Sequence, residues 1–477
     1  MKLFFRVALP VILLATACTK NISKENIETK RASSVPAGSL FSNAVKSLSD
    51  GLTTADINTN VFRHVVKHWG QAVIQEEAQY DFATRSIPQA WWTRMYRDVL
   101  SDLQEATSVV TNDATLVPAV KANQLAIIDI MAVYTWNVLV SSFGNIPYSE
   151  ALDKTKLFPV YDDAKTVYPD LMKRLSDDIS KLTASSSGFS STEDYIYKGS
   201  TAQWISFANS LQMKMGMLMA DVNPAAAKAA VEAADAKAIS SATDNALVRY
   251  LASTPNNNPL YNQLIQAGRT DFIAAKDLMD QLILLQDPRK VKFFSTNKAG
   301  QYVGGVVGQA SNFTEMSKPD TFKIAALDAP GVLMDYVEIE FFRAEAKERG
   351  YNIQGTAEEH YNKAITASIL YWGGTAAEAK AYLERPAVAY ATAAGSWKQK
   401  IGFQKWIGLY NRPFDGWTEM RRLDFPQLPP PVGARSGFPN RLSYPNNEQQ
   451  LNGDNYTAAA AAIGGDKLET KLFWDIN

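Results

Sequence analysis

Apolar residues recur at three- and four-residue spacing along most of this chain, and that period is the strongest constraint on its fold. Over 90–110, Trp91, Met95, Val99, Leu103 and Ala106 fall on one helical face, with Arg94, Arg97, Asp102 and Glu105 elsewhere. Over 120–143, Leu125, Ile128, Ala132, Tyr134, Trp136 and Leu139 predict a helix apolar on most sides, hence a central one. The amphipathic pattern returns from Val167 to Leu182, before a Ser-rich stop, and from Trp204 to Ala220, before Asn223-Pro224. Pro224 to Ile239, Asp271 to Gln286, Met334 to Gly350 and Glu358 to Trp372 complete the predicted helices. The fold class is mainly α.

Residues 334–372 read as a helix–turn–helix hairpin of about the length of a tetratricopeptide unit. Ala344 and Ala364 are small where two such helices approach closely. No 34-residue repeat recurs elsewhere. One small β-hairpin is expected, pairing Phe293-Phe294 with Tyr302-Val303 around Asn297 to Gly300. Residues 143–162, 184–202, 253–262, 295–332 and 411–456 are rich in Gly, Pro, Asn and Ser and are expected to be long loops, where ligand sites concentrate.

Composition removes several function classes. Lys and Arg number 48 against 49 Asp and Glu in 477 residues, a net charge of -1, which argues against a nucleic-acid binder. With 11% aromatic residues the chain is too rich in rings to be disordered. One Cys and three His exclude a disulfide framework and leave no Cys-rich metal site. His64 and His68 share a helical spacing, but Val65 stands where a zinc protease needs Glu. Gly304-Gly305-Val306-Val307-Gly308 lacks the Lys-Ser/Thr of a phosphate loop, and no Gly-x-Ser-x-Gly elbow is present. Acid pairs such as Asp162-Asp163 and Asp177-Asp178 read as solvated helix faces. No enzyme, metal or cofactor is expected, and calcium bracing of a loop is left open.

The N-terminus supplies an address. Lys2 and Arg6 precede the apolar run Val7 to Leu14, then Ala15-Thr16-Ala17, and the chain's one Cys follows at Cys18. This order predicts a lipoprotein signal over 1–17 and acylation of Cys18, although Ala15 stands where Leu is usual. Polar residues 18–36 then form a flexible lipidated tether, and 37–477 a single domain.

The aromatic residues set in polar surroundings are the candidate ligand contacts, because flat apolar faces beside amides can stack on sugar rings and bond their hydroxyls. These are Trp69, Tyr80, Tyr302 and Phe313, with Asn312 as a hydrogen-bonding neighbour.

Phe143-Gly144-Asn145-Ile146-Pro147-Tyr148-Ser149-Glu150-Ala151 resembles a segment of SusD/RagB-type outer-membrane lipoproteins, with Asn145 replacing the commoner Asp. Asn258 to Tyr261, Asp287-Pro288-Arg289, Gln404 to Tyr410, Trp417 to Arg422 and Arg441 to Glu448 are similar to later blocks of that family, in the same order. The resemblance implies tetratricopeptide-like helical hairpins forming a superhelical scaffold, with an irregular, loop-rich ligand-binding part. It implies that the conserved-looking blocks are scaffold. It further implies a lipid-anchored outer-membrane protein facing the exterior, which captures an oligosaccharide and delivers it to a SusC-like TonB-dependent β-barrel. Capture of peptides on the same architecture, and a helical scaffold binding only proteins, are the alternatives.

Overall fold

Val35 to Ile476 are the residues described by the computed structural model. The predicted signal, Cys18 and the tether as far as residue 34 lie outside them. Helix α1 spans Ala37–Thr53. Helix α2, Ile87–Thr93, runs through a π-helical turn at Arg94–Leu100 into α3, Ser101–Asn112. Trp91, Met95, Val99, Leu103 and Ala106 all face inward, as their spacing requires.

Pro118 starts α4, Pro118–Phe143, where its missing N–H costs nothing. This helix is long and apolar enough to cross a membrane, yet 89% of its apolar window is buried inside the protein. It is the central helix, and each fully buried Leu or Phe on it contributes roughly 1.5–3 kcal/mol. Against it pack α5 (Ala164–Lys181) and α6 (Thr201–Leu218), with α7 (Pro224–Ala234) packed on α6, and the side chains of Asp163, Ser200 and Asn223 cap the three respectively. Helix α8 is Lys276–Leu284.

The expected hairpin is α9, Tyr336–Glu348, against α10, Ala357–Tyr371, with Ala344 and Ala364 fully buried. Helices α11 (Ala376–Leu383) and α12 (Trp397–Gly408) follow. Thr356/Glu359, Thr375/Glu378 and Ser396/Gln399 start α10, α11 and α12 with three successive capping boxes.

The structure corrects three expectations. Asp271 to Gln286 is not one helix: Phe272–Ala274 is a strand, and the helix begins at Lys276. The Phe293-Phe294 strand pairs with Lys318–Pro319 rather than with Tyr302-Val303. Residues 411–456 are not a loop: α13 (Pro413–Leu423), α14 (Asn446–Leu451) and α15 (Gly453–Ala462) lie there. Every residue of α13 is buried, its charged face included, and the Gly-, Pro- and Asn-rich sequence around it masked so short a helix.

Helix α13 anchors the framework through buried charge. Arg422 donates to Glu345 (2.5 and 2.6 Å) and Glu419 (2.6 Å), and Lys405 bonds Glu419 at 2.8 Å. Burial alone would raise the Glu419 carboxyl, but Arg422 and Lys405 outweigh it and hold it down to about 2. Arg412 joins Asp335 (3.0 Å), Glu338 (2.6 Å) and Asp415 (2.7 Å), while Lys214 pairs with Glu338 at 3.0 Å. Arg289 pairs with Asp287 at 2.6 Å and reaches Ser368 and Gln404.

Candidate functional site

Among the described residues six short strands form three antiparallel pairs, and two of these pairs seat one surface loop. Strand β1, Trp69–Gln71, pairs with β3, Phe272–Ala274; β2, Ala246–Val248, pairs with β6, Gly331–Met334. Strand β4, Phe294–Ser295, pairs with β5, Lys318–Pro319. Between β4 and β5 the chain makes an excursion that is stitched onto β3. The Ala274 N–H donates to the Ser317 carbonyl (2.8 Å), the Ser317 N–H to Val303 (2.8 Å), and the Gly305 N–H to Ala274 (2.9 Å). Asn297 pins the turn, accepting from the N–H groups of Ala299 (3.0 Å) and Gln301 (2.9 Å) and donating to the Glu315 carbonyl (3.0 Å). After β5 the Asp320 carboxylate accepts from the Phe322 N–H at 2.9 Å, starting the single turn Thr321–Ile324. That turn projects Phe322 outward, 91% exposed.

An aromatic column supports this module from below. The Trp69 indole N–H donates to the Tyr410 hydroxyl (2.9 Å), which donates to the Phe293 carbonyl (3.1 Å). The Phe293 and Tyr410 rings stack at 3.9 Å, and Trp372 meets Phe293 edge-on at 4.8 Å. Beside Trp372 opens a cleft of about 780 Å³, walled by Val291, Lys292, Asp320, Phe322, Lys323 and Asp328 among others. Lysines lie over the module's rings: Lys290 over Tyr302 (4.9 Å), Lys318 over Phe313 (4.5 Å) and Lys323 over Tyr371 (4.4 Å).

The candidate residues divide accordingly. Tyr302, Asn312 and Phe313 share the stitched excursion and are half-buried or exposed. The Asn312 carboxamide oxygen caps its own turn through Thr314, leaving its NH₂ group to donate. Trp69 is fully enclosed and Tyr80 is 3% exposed, so neither offers a ring face to a ligand. The expectation of ligand stacking for these two is corrected. Trp69 is claimed by Tyr410 and by Arg63 over its ring at 4.5 Å. Tyr80 packs edge-on to Phe82 and Phe438. Phe322, Trp372 and Lys323 were missed. The Pro319-Asp320-Thr321 helix start pointed to Phe322, but nothing in the sequence set its exposure.

His64 and His68 are core residues. His64 Nδ1 faces the Trp69 carbonyl at 3.2 Å, and His68 Nε2 the Trp406 carbonyl at 3.0 Å. Burial lowers them to about 4 and about 3. Among the described residues no group of three or more His, Cys, Asp or Glu is arranged to hold a metal ion.

A buried-charge helical framework with a stitched aromatic loop on its surface defines a binding architecture. The family model described as "Starch-binding associating with outer membrane", SusD-like, matches residues 29–445. The chain belongs to the SusD-like family. A solved chitin-binding protein is 26% identical and superposes with a TM-score of 0.78, over 92% of this chain and 100% of that one. A SusD homologue from Bacteroides uniformis is 24% identical (TM-score 0.77, 92% and 99% covered). A chitin-binding SusD homologue from Flavobacterium johnsoniae is 21% identical (TM-score 0.78, 92% and 99% covered). No curated protein sequence matches the chain.

The family blocks read from the sequence are structural joints. Arg441 donates to the Phe143 carbonyl (3.0 Å) and the Tyr444 hydroxyl to the Asn145 carbonyl (2.8 Å), tying the first block to the last. The Asn145 side-chain oxygen accepts from the Ala164 N–H at 2.9 Å, an acceptor role that Asn and Asp share. Asn258 donates to the Ala329 carbonyl at 2.6 Å, fixing one rim of the cleft.

Proposed function

We propose that this protein is a non-catalytic capture lipoprotein, holding an oligosaccharide on the 294–324 module for delivery to a SusC-like TonB-dependent barrel. The observation that carries the reading is Phe322, a ring 91% exposed at the mouth of a cleft of about 780 Å³. An isolated ring kept in water at the wall of a cleft serves a partner with an apolar face and polar edges, which is what a pyranose presents. Tyr302 and Phe313 add two further partly open rings, and Asn312 adds a donor. Trp69 acts through position, holding Phe293 and hence the base of the module. The family description and the chitin-binding relative support a glycan as the ligand class. Acylation of Cys18 anchors the protein to the outer membrane, with the module facing outward.

The test is calorimetric titration against a panel of plant, host and microbial oligosaccharides, with Phe322→Ala, Tyr302→Ala and Phe313→Ala alongside. Heat from one glycan class, lost in the variants while circular dichroism is unchanged, is expected. Undiminished affinity in all three variants would sink the site. Lys292, Lys323, Asp320 and Asp328 on the cleft wall favour a second reading, capture of peptides. Heat from mixed peptides and none from any sugar would move the protein to that branch. Co-purification of a large β-barrel protein with the full-length chain tests delivery, and release of Cys18→Ser from membranes tests the anchor.

A further inference from the structure

We infer that the ligand of the 294–324 module is an anionic glycan, one bearing carboxylate or sulfate groups; this rests on the glycan reading above. The argument starts from where unpaired positive charge collects. Residues 290–328 hold five lysines, Lys290, Lys292, Lys298, Lys318 and Lys323, against three acids, Glu315, Asp320 and Asp328. Among the described residues, none of the five lysine side chains joins an ion pair or a hydrogen bond. The buried network around α13 differs: there Lys214, Lys405, Arg412 and Arg422 each meet one or more carboxylates.

The lysines also occupy the faces a sugar would need. Lys290, Lys318 and Lys323 cover Tyr302, Phe313 and Tyr371 respectively. A neutral sugar stacking on these rings displaces each ammonium and returns nothing for the lost cation–π contact. A uronate or sulfated sugar takes the ring face and gives the displaced ammonium a counter-ion, so the exchange is compensated. Lys323 reinforces the point. Burial and then the like charge of Lys292 both lower its affinity for a proton, a strain that a bound anion between the two relieves. Asp320 does not neutralise the group; its carboxylate caps the Phe322 turn and lies within ion-pair reach of no lysine.

The experiment uses the full-length chain in detergent, titrated calorimetrically with four probes. These are oligogalacturonate, the same oligomer fully methyl-esterified, a chondroitin sulfate oligomer, and poly-glutamate of matched length. One anionic oligomer should bind at least about tenfold tighter than the neutral ester. That affinity should fall about tenfold between 0.05 and 0.5 M salt. Whether the uronate or the sulfate gives the heat identifies the anion. Lys290→Gln/Lys318→Gln/Lys323→Gln should erase the preference with circular dichroism unchanged. Equal or tighter binding of the ester, or an unchanged preference in the triple variant, overturns the inference and leaves glycan capture standing. Poly-glutamate binding as tightly as either oligomer overturns it in favour of acidic peptides. Silence from every glycan, here and in the neutral panel, overturns both readings.

Discussion

Lys405 and Lys318 each rest over a phenylalanine ring, and the contrast between them separates the two parts of the molecule. Lys405 lies 3.4 Å above the fully buried Phe342 and bonds Glu419 at 2.8 Å. Lys318 lies 4.5 Å above the half-open Phe313 and has no carboxylate within ion-pair distance. Around α13 the framework closes its charged groups on one another, because a buried charge without a partner costs several kcal/mol. The surface module leaves its groups open, because water solvates them until a ligand arrives. The paired charges around α13 hold the fold, and the lysines of the surface module face outward, where the proposed ligand would meet them.

Four experiments would break or sharpen that contrast. The largest effect belongs to Arg422→Ala, which leaves Glu345 and Glu419 buried without their guanidinium. Urea unfolding should show a loss of about 3–5 kcal/mol, while glycan affinity of the folded fraction stays the same. Acid comes next. Glu419 is held near 2 against an ordinary 4.5, so its contribution is complete above pH 4.5 and lost as pH falls toward 2, on the order of 3 kcal/mol. Buried neutral His64, lowered to about 4, makes stability decline earlier, from about pH 6.5 down to 4, as the unfolded chain takes up the proton. Melting temperatures across pH 2–8 should show both stretches, and His64→Gln should make the upper one shallower, with His68, lowered to about 3, supplying the remainder.

Third in size is Tyr410→Phe. It strips the Trp69 indole and the Phe293 carbonyl of their shared hydroxyl, at a cost of about 1–3 kcal/mol by denaturant titration. The fourth, Phe322→Ala, should leave stability within about 0.5 kcal/mol while weakening glycan binding several-fold. A large loss of stability there would mean that Phe322 belongs to the framework after all.

What the sequence revealed followed the same division. Helices with one wet face, such as α3 and α5, announced themselves by period, and Ala344 and Ala364 marked the closest helix approach correctly. Helix α13 did not: Phe414, Trp417, Met420 and Leu423 recur at three-residue spacing, but the run is short and set in Gly-, Pro- and Asn-rich sequence. Three-residue strands such as Phe272–Ala274 are too short to outweigh the helical pattern around them, and only their partners Trp69–Gln71 define them. Among the candidate site residues, Tyr302, Asn312 and Phe313 could be grouped from their shared polar loop. Trp69 could not be told from them, since its burial depends on Tyr410, far away in sequence.

The pairing of Phe294–Ser295 with Lys318–Pro319 returns the chain beside the point where it left. Closing a longer or shorter excursion between those fixed ends changes the free energy only slowly with length. Lineages can therefore lengthen, trim or rewrite residues 296–317 while the seat made by Trp69, Tyr410 and Phe293 stays as it is. On the proposed reading, a change of captured ligand requires rewriting only that one segment.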